Sequence, residues 1–267
     1  MRLDVAERAA KDRRRGLIGW SIGLAGYMTM IVATWPSVRD SEALVEAIED
    51  YPEALEAFFG GEGMLDFGSP EGYLGAELFS LMVPLLLGIF AIGFGASTLA
   101  GEEEQGTLDL LLANPVTRRR VVIEKGLVLL GCVLGLAAVT AASIALVGLT
   151  VDLGVGIDRI AAACLGSALL AALHGAVAML VGAATGSRAA AIGVATAVFA
   201  GGYLVFGLSG LVSWLEPADV LTPLYHASST EPLRYGLPVG NYLLLAGTTV
   251  ALLVAATWVF ERRDLAA

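Results

Sequence analysis

Residues 101–120 read Gly-Glu-Glu-Glu-Gln-Gly-Thr-Leu-Asp-Leu-Leu-Leu-Ala-Asn-Pro-Val-Thr-Arg-Arg-Arg, the one long, well-patterned polar segment between hydrophobic runs. Three acids, Glu102, Glu103 and Glu104, come first. Leu108, Leu111 and Leu112 then share one face of a short helix. Thr107 suits its N-cap and Asp109 the positive end of its dipole. Asn114 precedes Pro115, which disfavours helical geometry in the residue before it and ends the segment. Thr117 is placed to cap a following helix that begins with Arg118, Arg119 and Arg120. An amphipathic segment between two apolar runs lies on a membrane surface or docks onto a partner in the adjoining aqueous phase.

The runs on either side settle the class. The 267 residues are 57% hydrophobic and 16% charged, with mean hydropathy +0.75, well beyond the roughly 45–50% apolar content of a soluble domain. The expected fold class is therefore an all-α integral membrane protein. Six apolar stretches, at 16–35, 76–100, 123–150, 157–185, 189–214 and 241–260, each reach the ~20 residues that cross a ~30 Å hydrocarbon core. Cys132 and Cys164 each lie inside such a run, which indicates packing and not a disulfide framework. The basic start Arg13-Arg14-Arg15 leads into a run too long for a signal-peptide core and without a small-residue cleavage site, so the first span is expected to be retained.

Orientation follows from the arginines and lysines. An even number of spans puts both termini on one side. All but three of the 16 basic residues fall there, the exceptions being Arg39, Arg159 and Arg234, so the positive-inside rule expects both termini in the cytoplasm. Lysine occurs only as Lys11 and Lys125, which with the Ala and Gly content is associated with a GC-rich prokaryotic genome and so with a prokaryotic cell membrane. The net charge of −10 would argue against nucleic acid in a soluble protein, and no nucleic acid is expected as a partner here, but in a membrane protein the side on which each charge lies matters more than the sum.

Residues 1–15 carry a weak amphipathic pattern and are expected as an interfacial helix ahead of a single transmembrane domain over 16–267. Within that domain the outer segment 37–75 shows helical patterns at 41–50 and from Pro52, followed by a Gly-rich loop over 60–75. The second outer segment, 215–240, is broken by Pro217, Pro223, Pro232 and Pro238. Too irregular to span, it is expected as short re-entrant or interfacial helices whose backbone is buried against protein.

Little in the chain carries chemistry. No Gly-rich loop ends in Lys and Ser or Thr, so ATP hydrolysis must come from a partner. Intramembrane ionisable groups are few: Glu77, Asp158 and Arg159 sit at outer span ends, and His174 alone lies well inside a span, where it reads as a hydrogen-bonded packing residue. His226 has no ligand-type neighbour at metal-site spacing. Glu102 and Glu103 invite comparison with an intramembrane glutamate protease, but the histidines such a site needs are elsewhere. A membrane scaffold or assembly factor recruiting a cytosolic partner is a second alternative. GxxxG spacings at Gly19 and Gly23, Gly131 and Gly135, and Gly182 and Gly186 are expected to allow close helix approach.

The run 100–120 resembles the cytoplasmic loop of ABC-2 type permeases, the membrane subunits of one class of ABC transporter. The pattern is acids, Gly-Thr-Leu, an acid, a leucine run, Pro, a small pair and Arg. The resemblance continues upstream in Pro-Glu-Gly-Tyr-Leu-Gly-Ala-Glu-Leu-Phe over 70–79 and downstream in Phe-Glu-Arg-Arg-Asp-Leu over 260–265. It implies a six-helix exporter subunit that pairs with a second permease, as homodimer or heterodimer. Two separate ATPase subunits would bind ATP and Mg, leaving no cofactor in this chain. The loop would be a coupling helix, with Glu102, Glu103 and Glu104 at the ATPase's rim and Gly106 and Thr107 opening the helix. Leu108, Leu111 and Leu112 would dock in the ATPase cleft, Pro115 would end the helix, and Arg118 would complete the contact. The spans, mostly Ala, Leu, Val and Gly, leave drug-like, lipidic and small-ion substrates all open.

Overall fold

The computed structural model describes residues 4–41, 68–113, 116–212 and 214–263. The outer helical patterns expected at 41–50 and 52–59 fall almost entirely outside these, as does the helix end expected at Asn114 and Pro115. Among the described residues the chain is helical, without strands. Six helices are long and apolar enough to cross a membrane: Arg13–Arg39, Pro70–Thr98, Arg118–Gly148, Ile157–Thr185, Arg188–Ser209 and Val239–Arg262.

The first span belongs to α1 (Asp4–Ala33), continued by the short α2 (Trp35–Arg39). The backbone does not turn between the segment expected to lie in the interface and the span itself, because no Pro interrupts residues 4–33 and Gly16 alone does not break a helix. Arg13 is held at the basic end of the second span, donating to Ser97 and lying over the Phe94 ring.

The second span starts earlier than its hydropathy suggests. Ser69 accepts from the Gly72 N–H and Pro70 occupies the first turn of α3 (Pro70–Leu74), so part of the expected Gly-rich loop is helix, as Ser-Pro at an N-terminus favours. A π-helical turn, Gly75–Phe79, joins it to α4 (Met82–Thr98). Pro84 lacks the N–H that would bond the Ser80 carbonyl one turn back. That carbonyl instead accepts the Tyr203 hydroxyl at 2.6 Å.

After α5 (Ala100–Glu104) and α6 (Thr107–Leu112) come the long helices α7 (Arg118–Gly148), α8 (Ile157–Thr185) and α9 (Arg188–Ser209). Three short helices follow: α10 (Glu216–Asp219), α11 (Pro223–Ser228) and α12 (Pro232–Tyr235), each with a proline in its first turn. The last span is α13 (Val239–Arg262). As expected of irregular backbone between spans, α11 packs on α8, α9 and α13, and α12 packs on α8.

Helix α8 is the hub. Of its most apolar stretch 72% is buried, against 11% for α9, and it touches α4, α7, α9 and α13, while α1 packs from outside on α7. Its many Ala and Gly residues explain the position, since small side chains let backbones approach. A Cβ added at Gly95 would lie 2.3 Å from the Gly175 carbonyl oxygen, and one at Gly175 would meet Leu129 at 2.9 Å. At Gly166 a Cβ would sit 2.3 Å from the Tyr242 hydroxyl, which donates to the Ala162 carbonyl at 2.8 Å.

Within the single chain, the paired glycines singled out by spacing are mostly not the contact glycines. Nothing lies within 4 Å of a Cβ at Gly19, Gly23, Gly131 or Gly135. Gly182 does approach Ala100, and Gly186 serves a different purpose at the basic end. Spacing of four along one helix is satisfied by chance in Gly-rich sequence, whereas contact needs a partner helix on the same face.

Candidate functional site

The three acids of the 101–120 stretch hang from the end of the second span. Leu99, between α4 and α5, has φ −111° and ψ −64°, an irregular joint that redirects the chain and projects the carboxylates toward neighbouring helix ends. Each finds a different one.

Glu102 reaches α7. Its Oε2 accepts from Lys125 Nζ, and the same ammonium donates to the Thr98 carbonyl at 2.7 Å. Lys125 is 2% exposed. It therefore fulfils two electrostatic needs at once: Thr98 is the last residue of α4, where carbonyls lack intrahelical partners and a cation is favoured, and Glu102 supplies the counter-charge that a buried ammonium requires. The adjacent Glu124, wholly buried, is paired with Arg120 Nε at 2.6 Å one turn away.

Glu103 reaches the end of α13 and the end of α8 together. It pairs with Arg263, whose Nη1 also donates to the Ala183 carbonyl at 2.8 Å and the Gly182 carbonyl at 3.3 Å. Arg263 thus caps the C-terminus of α8, a helix that ends in left-handed Gly186 at φ 66°, the conformation glycine accepts most easily. A Cβ on Gly186 would lie 2.7 Å from Arg263 Nη2 and 2.9 Å from Glu103 Oε1. Gly186→Ala is therefore expected to lower stability by about 1–2 kcal/mol, the usual penalty of a left-handed L-residue. The measurement is the thermal unfolding midpoint in detergent, with Gly186→Asn expected to fall less.

Glu104 reaches the start of α9. Its Oε1 accepts the Arg188 N–H at 2.8 Å, an unsatisfied donor of the first turn, beside Ser187, which caps the same helix through the Ala190 N–H. Anions at helix N-termini are favoured by both the free donors and the dipole. Arg118 closes the ring from α7, donating to the Arg263 carbonyl at 2.6 Å and lying 5.9 Å from the Phe260 ring centroid. Thr117 caps α7 through the Arg120 N–H at 3.3 Å.

The acids expected at a partner's rim are thus engaged inside the chain, where they join the ends of α4, α7, α8, α9 and α13 into one clasp. The leucine face is also redistributed. Leu108 is 1% exposed and belongs to the same apolar cluster as Leu99, Val121 and Val122. Leu111 is half-buried against that cluster. An apolar face that can reach its own chain's core buries there first, and Leu108 lies in that core. The side chain of Leu112, like Pro115, lies outside the described residues. Leu110, not singled out from the sequence, is the leucine turned outward at 72% exposure. Gly106, at φ 68°, turns the chain into α6. The Thr107 hydroxyl donates back to the Glu102 carbonyl at 3.1 Å. Gln105, Gly106 and Thr107 form an exposed tip.

The residues that sequence reasoning missed are Lys125, Arg188 and Arg263 as partners of the acids. A signal existed: Glu124-Lys125 is a charged pair at the head of an apolar run, where ionisable residues are seldom idle.

Each histidine has a ring nitrogen beside a backbone carbonyl. His174 Nδ1 is 2.8 Å from the Leu170 carbonyl and its ring meets Phe199 edge-on, and His226 Nε2 is 2.8 Å from the Val220 carbonyl. Among the described residues no three His, Cys, Asp or Glu side chains gather as metal ligands.

No curated protein matches the chain. A family model described as ABC-2 family transporter protein matches residues 4–265. With that match and its six membrane-length helices, the chain belongs to the ABC-2 family and is a multi-pass permease subunit of an ABC transporter.

Proposed function

We propose that this subunit is an exporter permease of a prokaryotic cell membrane. Its basic end and both termini face the cytosol, and a separate ATPase binding ATP and Mg docks on the loop that carries α5 and α6. The observation that carries the reading is the two-sidedness of α6. Leu108 anchors it in the core, while Leu110 and the tip at Gln105, Gly106 and Thr107 stay exposed. Such a segment transmits force without bending away, because its inner face is fixed.

The clasp suits the same role. Glu102, Glu103 and Glu104 connect the loop to α7, to α8 with α13, and to α9, so a displacement at the tip is carried to several spans as a rigid body. Two such permeases, identical or related, would enclose the substrate path and alternate its access as their ATPases close and open. ATP hydrolysis belongs to the partner, in keeping with the missing phosphate-binding loop.

The test is co-expression with a candidate ABC ATPase subunit from the same genome. Leu110→Asp is expected to abolish co-purification and the permease-dependent change in ATP turnover, with the variant's gel-filtration profile unaltered. Undiminished capture of the ATPase by Leu110→Asp refutes docking on this edge. Capture by the wild type without any effect on ATP turnover or solute flux supports a scaffold in place of a transporter.

A further inference from the structure

The arginines at the basic end of the bundle fall into two groups. Arg13, Arg118, Arg120 and Arg263 turn onto the chain itself, at Ser97, the Arg263 carbonyl, Glu124 and Glu103. Arg119 and Arg262 are exposed, and no carboxylate among the described residues pairs with either.

Arg262 is nevertheless held in place. Its guanidinium carbon lies 3.9 Å from the centroid of the Trp258 ring, one turn back along α13, and Trp258 is 54% exposed. Stacking uses the face of the planar guanidinium and leaves the N–H donors at its edge open. Capping does not claim them either. The Phe260 and Arg263 carbonyls at the end of α13 accept from Arg118, at 3.4 Å and 2.6 Å. The same contacts set the first turn of α7, with Arg119, beside the last turn of α13.

Away from this end, the same face of α13 is apolar. Val250, Val254 and Trp258 follow at intervals of four, the spacing of one helix face, and each is more than half exposed. Val250 is 12 residues from Arg262, about 18 Å along the helix, against ~15 Å for half of a ~30 Å hydrocarbon core. An apolar track about one leaflet long therefore ends in a stacked cation.

We propose that this end of α13 binds an anionic phospholipid, its phosphate on the edge donors of Arg262 and its acyl chain along Trp258, Val254 and Val250. Arg119 adds a second positive charge to the same rim. Setting the adjacent, exposed Glu261 against the two arginines still leaves one positive charge, so the surface favours a headgroup of net negative charge. A zwitterionic lipid offers the same phosphate, but its ammonium brings a further cation to a positive rim. A second copy of the chain is the rival occupant. Packed on this face about a two-fold axis parallel to the spans, it would set two copies of Arg262 at one level, like charge against like.

The test is native mass spectrometry of the full-length protein released from nanodiscs of equimolar phosphatidylglycerol and phosphatidylcholine. The wild type is expected to retain phosphatidylglycerol in preference. Arg262→Gln should cut that preference about fivefold, the loss of one arginine's attraction for an anionic lipid. Trp258→Leu keeps the apolar track but removes the stack and should cut it about twofold. Arg262→Lys, which keeps the charge without the planar fork, should fall between wild type and Arg262→Gln. Arg39→Gln, at the opposite end, should leave the preference unchanged, and inorganic phosphate in the nanodisc buffer should not displace the lipid. An unaltered preference in Arg262→Gln, an equal fall in Arg39→Gln, displacement by inorganic phosphate, or an effect of Arg262→Gln on the monomer–dimer ratio alone overturns the proposal.

Discussion

Glu102→Ala is expected to destabilise the subunit by about 3 kcal/mol, near the lower end for a buried charge that loses its partner. The reason is Lys125, which is 2% exposed and would keep only the Thr98 carbonyl. The reverse change, Lys125→Met, is expected to cost less, because the Glu102 side chain is 34% exposed and water can take over part of its solvation. Combining Glu102→Ala with Lys125→Met should recover most of the loss, since no charge is then stranded. The check is a double-mutant cycle on thermal unfolding midpoints in detergent. A coupling energy below about 0.5 kcal/mol, the scatter of independent sites, would show that the pair does not hold the clasp.

Gly95→Ala is expected to be as damaging from a single methyl group. The added carbon would sit 2.3 Å from the Gly175 carbonyl oxygen and 3.1 Å from the Ala178 Cβ. Because the obstacle is backbone on the central helix, relief requires α4 and α8 to separate, which puts the penalty at about 3 kcal/mol, the upper end for overpacking. Gly93→Ala, two residues away with nothing within 4 Å of its Cβ, supplies the control. There the change should be neutral or stabilising by up to about 1 kcal/mol, as for Gly to Ala in an open helix position. Monodispersity on gel filtration and the unfolding midpoint distinguish the two. Equal behaviour of the pair would mean that the α4–α8 contact is looser than its geometry indicates.

The membrane class and the six spans were legible because they rest on one-dimensional properties. A run of apolar residues long enough to cross a bilayer is visible without knowing its neighbours. The proline-broken segment before α13 was legible for the same reason, its punctuation being local. The start of the second span was misplaced by a few residues because Ser69 and Pro70 act through capping geometry and contribute nothing to hydropathy. The 101–120 stretch was recognisable as a patterned helix and as an ABC-2 type loop, yet the direction of its side chains was not. Helical periodicity groups Leu108 with Leu111 and Leu112 but does not say whether that face meets a partner or the chain's own core.

By itself, then, the sequence determined that this chain is an all-α membrane subunit with one amphipathic loop between its second and third spans, since length, apolarity and local capping act within a few residues of each position. Only the tertiary structure decided what that loop holds. Glu102 meets Lys125 across 23 residues, Glu104 meets Arg188 across 84 and Glu103 meets Arg263 across 160. No local pattern encodes such pairings. They exist because α8 packs at the centre and brings five helix ends, each with unsatisfied donors or carbonyls, to one level where the charges compensate them.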